Sequence, residues 1–193
     1  PKRGEILDRE GRVLAYSVDA DTVIAAPRQV IAPAATARQL CDVLKCEDAQ
    51  QERIETRLGE DRGFAYVQRH VSVAAARRIK ELDLEGIGII KESRRFYPHK
   101  ELGAHLLGYV GIDNGGLAGL ESSFDEEIRG RSGRSLVQFD ARRRPFSRVE
   151  RPPTAGSSLE LSIDMYLQYI AERELRATVL EHGASGGSVV VME

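Results

Sequence analysis

Tryptophan is absent from the 193 residues, aromatic side chains make up only 6%, and asparagine occurs once, at position 114. A core built from this chain must therefore be mostly aliphatic. No apolar run approaches the ~18–20 residues that cross a bilayer, and no cleavable leader is visible. Pro1-Lys2-Arg3 reads as a stretch cut from a longer chain. Charge of one sign is lacking too: the formal net charge is −2 and the pI about 6.2, which argues against a nucleic-acid-binding protein. The four histidines, at positions 70, 99, 105 and 182, show no metal-ligand spacing, and Gly115-Gly116 and Gly186-Gly187 lack the rest of a phosphate loop. The two cysteines, Cys41 and Cys46, have no third or fourth ligand nearby for zinc. On one helix they would project about 140° apart, so a bridge is disfavoured and the pair reads as two small, partly buried hydrophobes.

What is present is the composition of a folded domain, 41% hydrophobic and 30% charged. The opening RGEILDREGRVLA reads as a β-hairpin: Glu5–Asp8 and Arg12–Ala15 extend, and Arg9-Glu10-Gly11 turns, with Gly11 free to take positive φ. Helices are expected from Pro33, over Asp48–Leu58 closed by Gly59, and from a Ser72 cap to about Leu82. Strands are expected over Thr22–Ala26, Phe64–Val71, Ile87–Phe96, His105–Ile112, Leu159–Ile163 and Gly187–Met192. Leu117, Leu120, Phe124 and Ile128 fall on one helical stripe, and Leu167, Ile170, Ala171, Leu175 and Val179 on another after an Asp164 cap; both stripes read as core. Arg134–Val149 reads as a hairpin region, and Pro152-Pro153 with Gly156-Ser157-Ser158 as a short linker. The class is α+β, with a helical block over residues 33–85 inserted between strand-rich flanks. The polar second helix of that block has only Ile54 and Leu58 as strong apolar anchors. The lobe is thus expected to pack thinly, to be less stable than the strand-rich body, and to offer a docking surface.

The opening fits R-G-x-I-x-D-R-x-G-x-x-L-A at every specified position, and so resembles the first motif of the amino-terminal domain of class B penicillin-binding proteins. RRFYPHKELGAHLLGYVG, from Arg94, resembles the second motif, and GLAGLESSFDEEIRGRSG, from Gly116, the third. LELSIDMYLQYIAERELRATV is similar to the strand and helix leading into the catalytic domain. Order and spacing agree over nearly the whole chain, and the short helical insert with ESRRFYP most resembles the septal, division-type transpeptidase. The family pattern has glycine at the places held here by Lys100 and Arg143, so local turn geometry is expected to differ at both.

The resemblance implies an elongated pedestal or dimerisation domain over residues 1–186 and the start of a truncated transpeptidase domain at 187–193. It also implies one transmembrane helix just before Arg3 and a place on the extracytoplasmic face of a bacterial cytoplasmic membrane. Implied partners are the polytopic glycosyltransferase that polymerises glycan strands, other division proteins, and a second copy of the chain. No cofactor is implied. The family acylates a serine in S-x-x-K, assisted by S-x-N and K-T-G. None of these occurs here, so the segment itself is expected to be inert.

The residues carrying the motifs are Arg3, Gly4, Asp8, Arg9, Gly11, Arg95, Tyr97, Pro98, His105, Gly108, Gly116, Gly119, Glu121, Asp125 and Gly130, read as structural or interaction positions. Glu121 and Asp125 read as a salt-bridging rather than a catalytic pair, and the opening hairpin is expected to join Glu121 through Arg3 or Arg9. Competing readings are the pedestal of an elongation-type transpeptidase, an unrecognised acid–base enzyme, and a lipid- or nucleic-acid-binding module built on the basic run Ala141–Arg151.

Overall fold

The computed structural model describes the backbone of residues 1–139 and 145–192 and the side chains of 1–134 and 150–192. In chain order its elements are β1 (Ile6–Leu7), β2 (Val13–Ala25), α1 (Pro33–Leu44), α2 (Asp48–Leu58), β3 (Ala65–Val71), α3 (Val73–Glu81), β4 (Ile87–Phe96), α4 (Ala104–Leu107), α5 (Gly119–Ser123), α6 (Asp125–Ile128), β5 (Arg134–Phe139), β6 (Pro145–Arg151), β7 (Leu159–Glu160) and α7 (Met165–Glu181). The contacts divide the chain into two compact units, one made of Pro1–Val18 with Arg95–Glu193, the other of Asp19–Arg94.

In the Asp19–Arg94 unit, β3 pairs antiparallel with β2, with Asp21 opposite Val71 and Ala25 opposite Ala65; β4 also pairs with β2. Proline at its first position starts α1, and the Ser72 hydroxyl caps α3 by accepting from the Ala75 amide. Their apolar faces close on Val23 and Ala25 of β2 to make a core of Leu40, Ile54, Leu58, Val67 and Ile79. Ile54 and Leu58, the two sparse anchors of α2, are almost fully buried. The expectation of thin packing fails for that reason: two well-placed aliphatic side chains suffice when a strand and two helices close over them.

The cysteine expectation is also overturned. Helix α1 ends at Leu44, Lys45 turns left-handed (φ 56°, ψ 51°), and the reversal brings Cys46 back to Cys41. The two form a disulfide with Cα atoms 4.8 Å apart. The 140° argument assumed one uninterrupted helix, and the left-handed residue removes that assumption.

In the other unit, β1 pairs antiparallel with β2 (Ile6 opposite Ala15) and parallel with β7 (Ile6 opposite Leu159). Ile6, Leu14, Ala15 and Leu107 form its smaller core, with Leu120, Leu159 and Met165 packed against it. The expected strand over His105–Ile112 begins instead as the helical turn α4, bracketed by Gly103 and Gly108 at positive φ. The stripe from Leu117 to Ile128 is two short helices broken at Phe124; Ile128 is buried, while Leu117 is 60% and Phe124 37% exposed. The presumed linker is built into the unit: the Gly156 amide donates to the Lys2 carbonyl, and Arg131 bridges Thr154.

Helix α7 begins on Asp164, whose carboxylate accepts from the Tyr166 and Leu167 amides, yet none of its residues is buried. Its stripe is not core among the described residues: Leu167 is 53% and Ile170 46% exposed. The strand expected over Gly187–Met192 does not form and Val190 is 76% exposed, because no described strand lies beside these residues to pair with. Strands β5 and β6 pair antiparallel, Arg134 opposite Arg151. Residues 140–144, which include Arg143 and the whole triple-arginine run, lie outside the described residues.

Candidate functional site

Three segments distant in sequence meet at one buried carboxylate. Glu121, on α5, has no exposed surface. Its Oε2 accepts from Arg3 Nε at 3.0 Å and lies 2.8 Å from Arg3 Nη2. Its Oε1 accepts from Arg95 Nε at 2.6 Å and from the Tyr97 hydroxyl at 3.3 Å. Arg3 and Arg95 are themselves buried. A lone buried carboxylate would be neutral or ruinous to stability, but here two nitrogens of Arg3 at Oε2 and Arg95 Nε at Oε1 keep the charge paired.

Each arginine goes on to tie down backbone. Arg3 donates to the Glu121 carbonyl at 3.0 Å and the Asn114 carbonyl at 2.8 Å, and reaches Asp125 Oδ1 at 2.6 Å. Arg95 donates to the Gly4 carbonyl at 2.7 Å. Asp125 Oδ1 also accepts from the Gly116 amide at 2.7 Å. Burial would raise the Asp125 carboxyl; Arg3 and the Gly116 amide outweigh it, so its pKa falls below the ordinary value. Tyr97 moves the other way, because burial and the adjacent Glu121 charge both oppose its ionisation.

Backbone approach is as tight as the charge packing. A Cβ on Gly4 would sit 1.8 Å from the Ser157 carbonyl oxygen, and the Gly4 amide donates to the Ile128 carbonyl at 2.7 Å. At Gly108, φ is +74° and a Cβ would meet the Ala118 oxygen at 1.8 Å. Only glycine fits either place. Gly116, Gly119 and Gly130 flank α5 and α6 in the same junction, while Gly11 turns the opening hairpin at φ +75°.

Asp8 anchors a second knot. It is fully buried and accepts from the amides of Glu10, Arg12 and Met165 and from Arg12 Nε. Burial alone would raise its pKa; the three amides and the Arg12 guanidinium overcome that and bring it down to about 2. Arg12 reaches on to Asp164 at 3.2 Å and lies over the Tyr166 ring, so the opening turn is joined to the start of α7.

Of the two arginines considered for Glu121, Arg3 makes the pair; Arg9 lies at the surface beside Glu10 at 3.8 Å. His105 sits on α4, and Pro98 begins the turn after β4. In that turn Lys100, at the family's glycine place, takes φ 49°, the left-handed region that glycine favours. Sequence reasoning missed Arg12 and Asn114; only the tertiary fold brings the Asn114 carbonyl to Arg3. No group of three or more metal-ligating side chains occurs among the described residues, and no described helix is long and apolar enough to cross a membrane. The junction's carboxylates are paired with guanidinium groups, and only Arg95 Nη2 of the two buried arginines is without a hydrogen-bond partner among the described residues, an arrangement suited to holding backbone in place.

The model of the family "Penicillin-binding Protein dimerisation domain" matches residues 1–161. The chain is 35% identical to stage V sporulation protein D of Bacillus subtilis (strain 168), covering all of this chain and 30% of that protein. It is also 35% identical to the peptidoglycan D,D-transpeptidase FtsI of Escherichia coli (strain K12), covering 99% of this chain and 33% of that one. The chain thus spans about a third of the length of these relatives. Penicillin-binding protein 2 of Helicobacter pylori, solved in complex with MreC, has the same fold over 92% of this chain and 37% of its own, with a TM-score of 0.73 at 20% identity.

Proposed function

Since the chain belongs to the penicillin-binding protein dimerisation-domain family, we propose that it is the non-catalytic pedestal of a peptidoglycan D,D-transpeptidase acting in septum formation. In this reading residues 1–186 carry and orient a serine-type transpeptidase domain that begins at 187. One membrane helix precedes Arg3, and the domain stands on the extracytoplasmic side. The observation that carries the proposal is the Arg3–Glu121–Arg95 junction, which clamps the chain's first residues to the end of β4 and to α5. A clamp at that position transmits orientation from an anchor to whatever follows α7.

Three further features support it. The uncovered apolar residues of α7 and the unpaired Val189–Met192 segment suit elements that complete a sheet and helix layer with a following domain. The Cys41–Cys46 disulfide suits an oxidising compartment. S-x-x-K, S-x-N and K-T-G are missing, so the acylating serine must come from elsewhere in the parent. The septal assignment rests on the likeness of ESRRFYP and the short helical insert to division-type members. Partners in this role are a glycan-polymerising glycosyltransferase, other division proteins and a second copy; the solved complex of the Helicobacter pylori relative with MreC is a precedent for partnership of this kind.

The test separates pedestal from catalyst. In the parent protein, Glu121→Gln should leave β-lactam acylation intact while septal cross-linking falls. The isolated chain should gain no mass on incubation with a penicillin. A stoichiometric acyl adduct on it by intact-mass spectrometry would overturn the proposal.

A further inference from the structure

The chain's one asparagine, Asn114, stands before two glycines, Gly115 and Gly116. Backbone closes the turn that holds it: the Asn114 amide donates to the Gly111 carbonyl at 2.9 Å, and the Gly111 amide to the Gly115 carbonyl at 2.8 Å. Asn114 takes φ 62°, in the left-handed region where asparagine is commoner than most side chains. Its carbonyl accepts from Arg3 Nη1 at 2.8 Å, within the junction that pairs Arg3 with Glu121. Its side-chain oxygen is enclosed and accepts no hydrogen bond among the described residues.

An asparagine before a glycine carries its own electrophile and its own nucleophile. The deprotonated Gly115 backbone nitrogen attacks Asn114 Cγ; a nitrogen–carbon bond forms, and the side-chain nitrogen leaves as ammonia. Water then opens the resulting five-membered imide at either carbonyl, giving aspartate or isoaspartate, with nothing oxidised or reduced. Gly115 suits the attack. It has no Cβ to crowd the nitrogen, and its amide donates to nothing among the described residues. The folded turn opposes it. A residue at this φ holds its carbonyl oxygen beside Cβ, so the next nitrogen points away from the side chain. The peptide plane between Asn114 and Gly115 must rotate before ring closure, and that rotation carries the Asn114 carbonyl off Arg3.

We propose that Asn114 is a self-modification site held in check by Arg3. While the junction is closed the asparagine persists; when it opens, water and the Gly115 nitrogen convert the residue, leaving a mark that outlasts the opening. Either product adds a carboxylate where Arg3 and Arg95 are already matched by Glu121 and Asp125. Isoaspartate also routes the main chain through Cβ and Cγ, lengthening a turn that two backbone hydrogen bonds close.

Peptide mapping of the whole chain after incubation in mildly alkaline buffer provides the test, with isoaspartate identified by enzymatic methylation of its free carboxylate. A synthetic peptide of residues 111–117 is the unrestrained reference. The folded chain should convert about tenfold more slowly than the peptide, or slower still, because a charge-assisted hydrogen bond must open first. Arg3→Lys keeps the charge, loses the guanidinium, and should return the rate towards the peptide's while the paired Ile6 and Ala15 amides stay slow to exchange. Should that variant lose its fold, the unaltered chain in rising urea replaces it, and conversion should accelerate before those two amides lose protection. A Cβ on Gly115 meets nothing within 4 Å, so Gly115→Ala keeps the fold. It should slow conversion about tenfold in chain and peptide alike, since a Cβ crowds the attacking nitrogen and restricts its backbone. Conversion of the folded chain at the peptide's rate would overturn the proposal. So would a folded Arg3→Lys chain that converts no faster, acceleration in urea only with global unfolding, or a rate indifferent to Gly115→Ala.

Discussion

Replacing Glu121 by glutamine keeps the side chain's shape and removes the one charge that faces both Arg3 and Arg95. Arg95 is then left buried without a carboxylate while Arg3 keeps only Asp125, and the expected cost is about 3–5 kcal/mol, read from urea denaturation. Arg9→Ala, by contrast, removes only an exposed contact at 3.8 Å and should cost less than about 1 kcal/mol. Asp8 gives the junction a signature in acid. Its pKa is lowered in the folded chain, from 3.8 to about 2, so the stability it confers is complete above the unfolded value and is lost as pH falls towards 2. Urea midpoints measured at a series of acidic pH values should therefore fall less steeply for Asp8→Asn than for the unaltered chain, from a lower plateau near neutrality. The Arg3–Glu121 pair was legible in the sequence because opposite charges stood in two linked motifs. The partners of Asp8 were not, since the Met165 amide lies 157 positions away and backbone donors leave no mark in a side-chain pattern.

At the level of elements, periodicity located the helices better than it decided which would be covered. The boundaries expected for α2, for α3 and its Ser72 cap, and for the Asp164 start of α7 agree with the fold, because caps and stripes are local. The burial expected of α7 does not, because burial depends on what stands opposite a helix. Left-handed residues were the other blind spot. Lys45 closes the Cys41–Cys46 loop, and in the chain-entropy account a loop this short is worth about 2 kcal/mol. Reduction, or Cys41→Ser with Cys46→Ser, should lower stability by about that much in denaturant titrations. Lys100 carries the penalty of a side chain at φ 49°. Lys100→Gly should raise stability by about 0.5–1 kcal/mol, the relief of strain less the entropy glycine adds to the unfolded chain, measurable as a higher urea midpoint.

For the molecule as a whole, the α+β class was readable from the order of patterns, whereas the relative weight of the two cores was not. The larger apolar cluster belongs entirely to Asp19–Arg94, and every residue in it comes from that span. A fragment of residues 19–94 should accordingly fold by itself, with a single cooperative melt and dispersed amide resonances. Pro1–Val18 has no such independence: Ile6 is paired with Leu159, and Arg3 with Glu121. The order in which the chain emerges during synthesis then matters. The Asp19–Arg94 unit is complete while the partners of the first residues are still unmade. The opening segment must wait, extended and with bare strand edges, until more than half the chain has followed. The charge of Arg3 makes that segment a poor template for its neighbours' aggregation until Glu121 arrives to bury it.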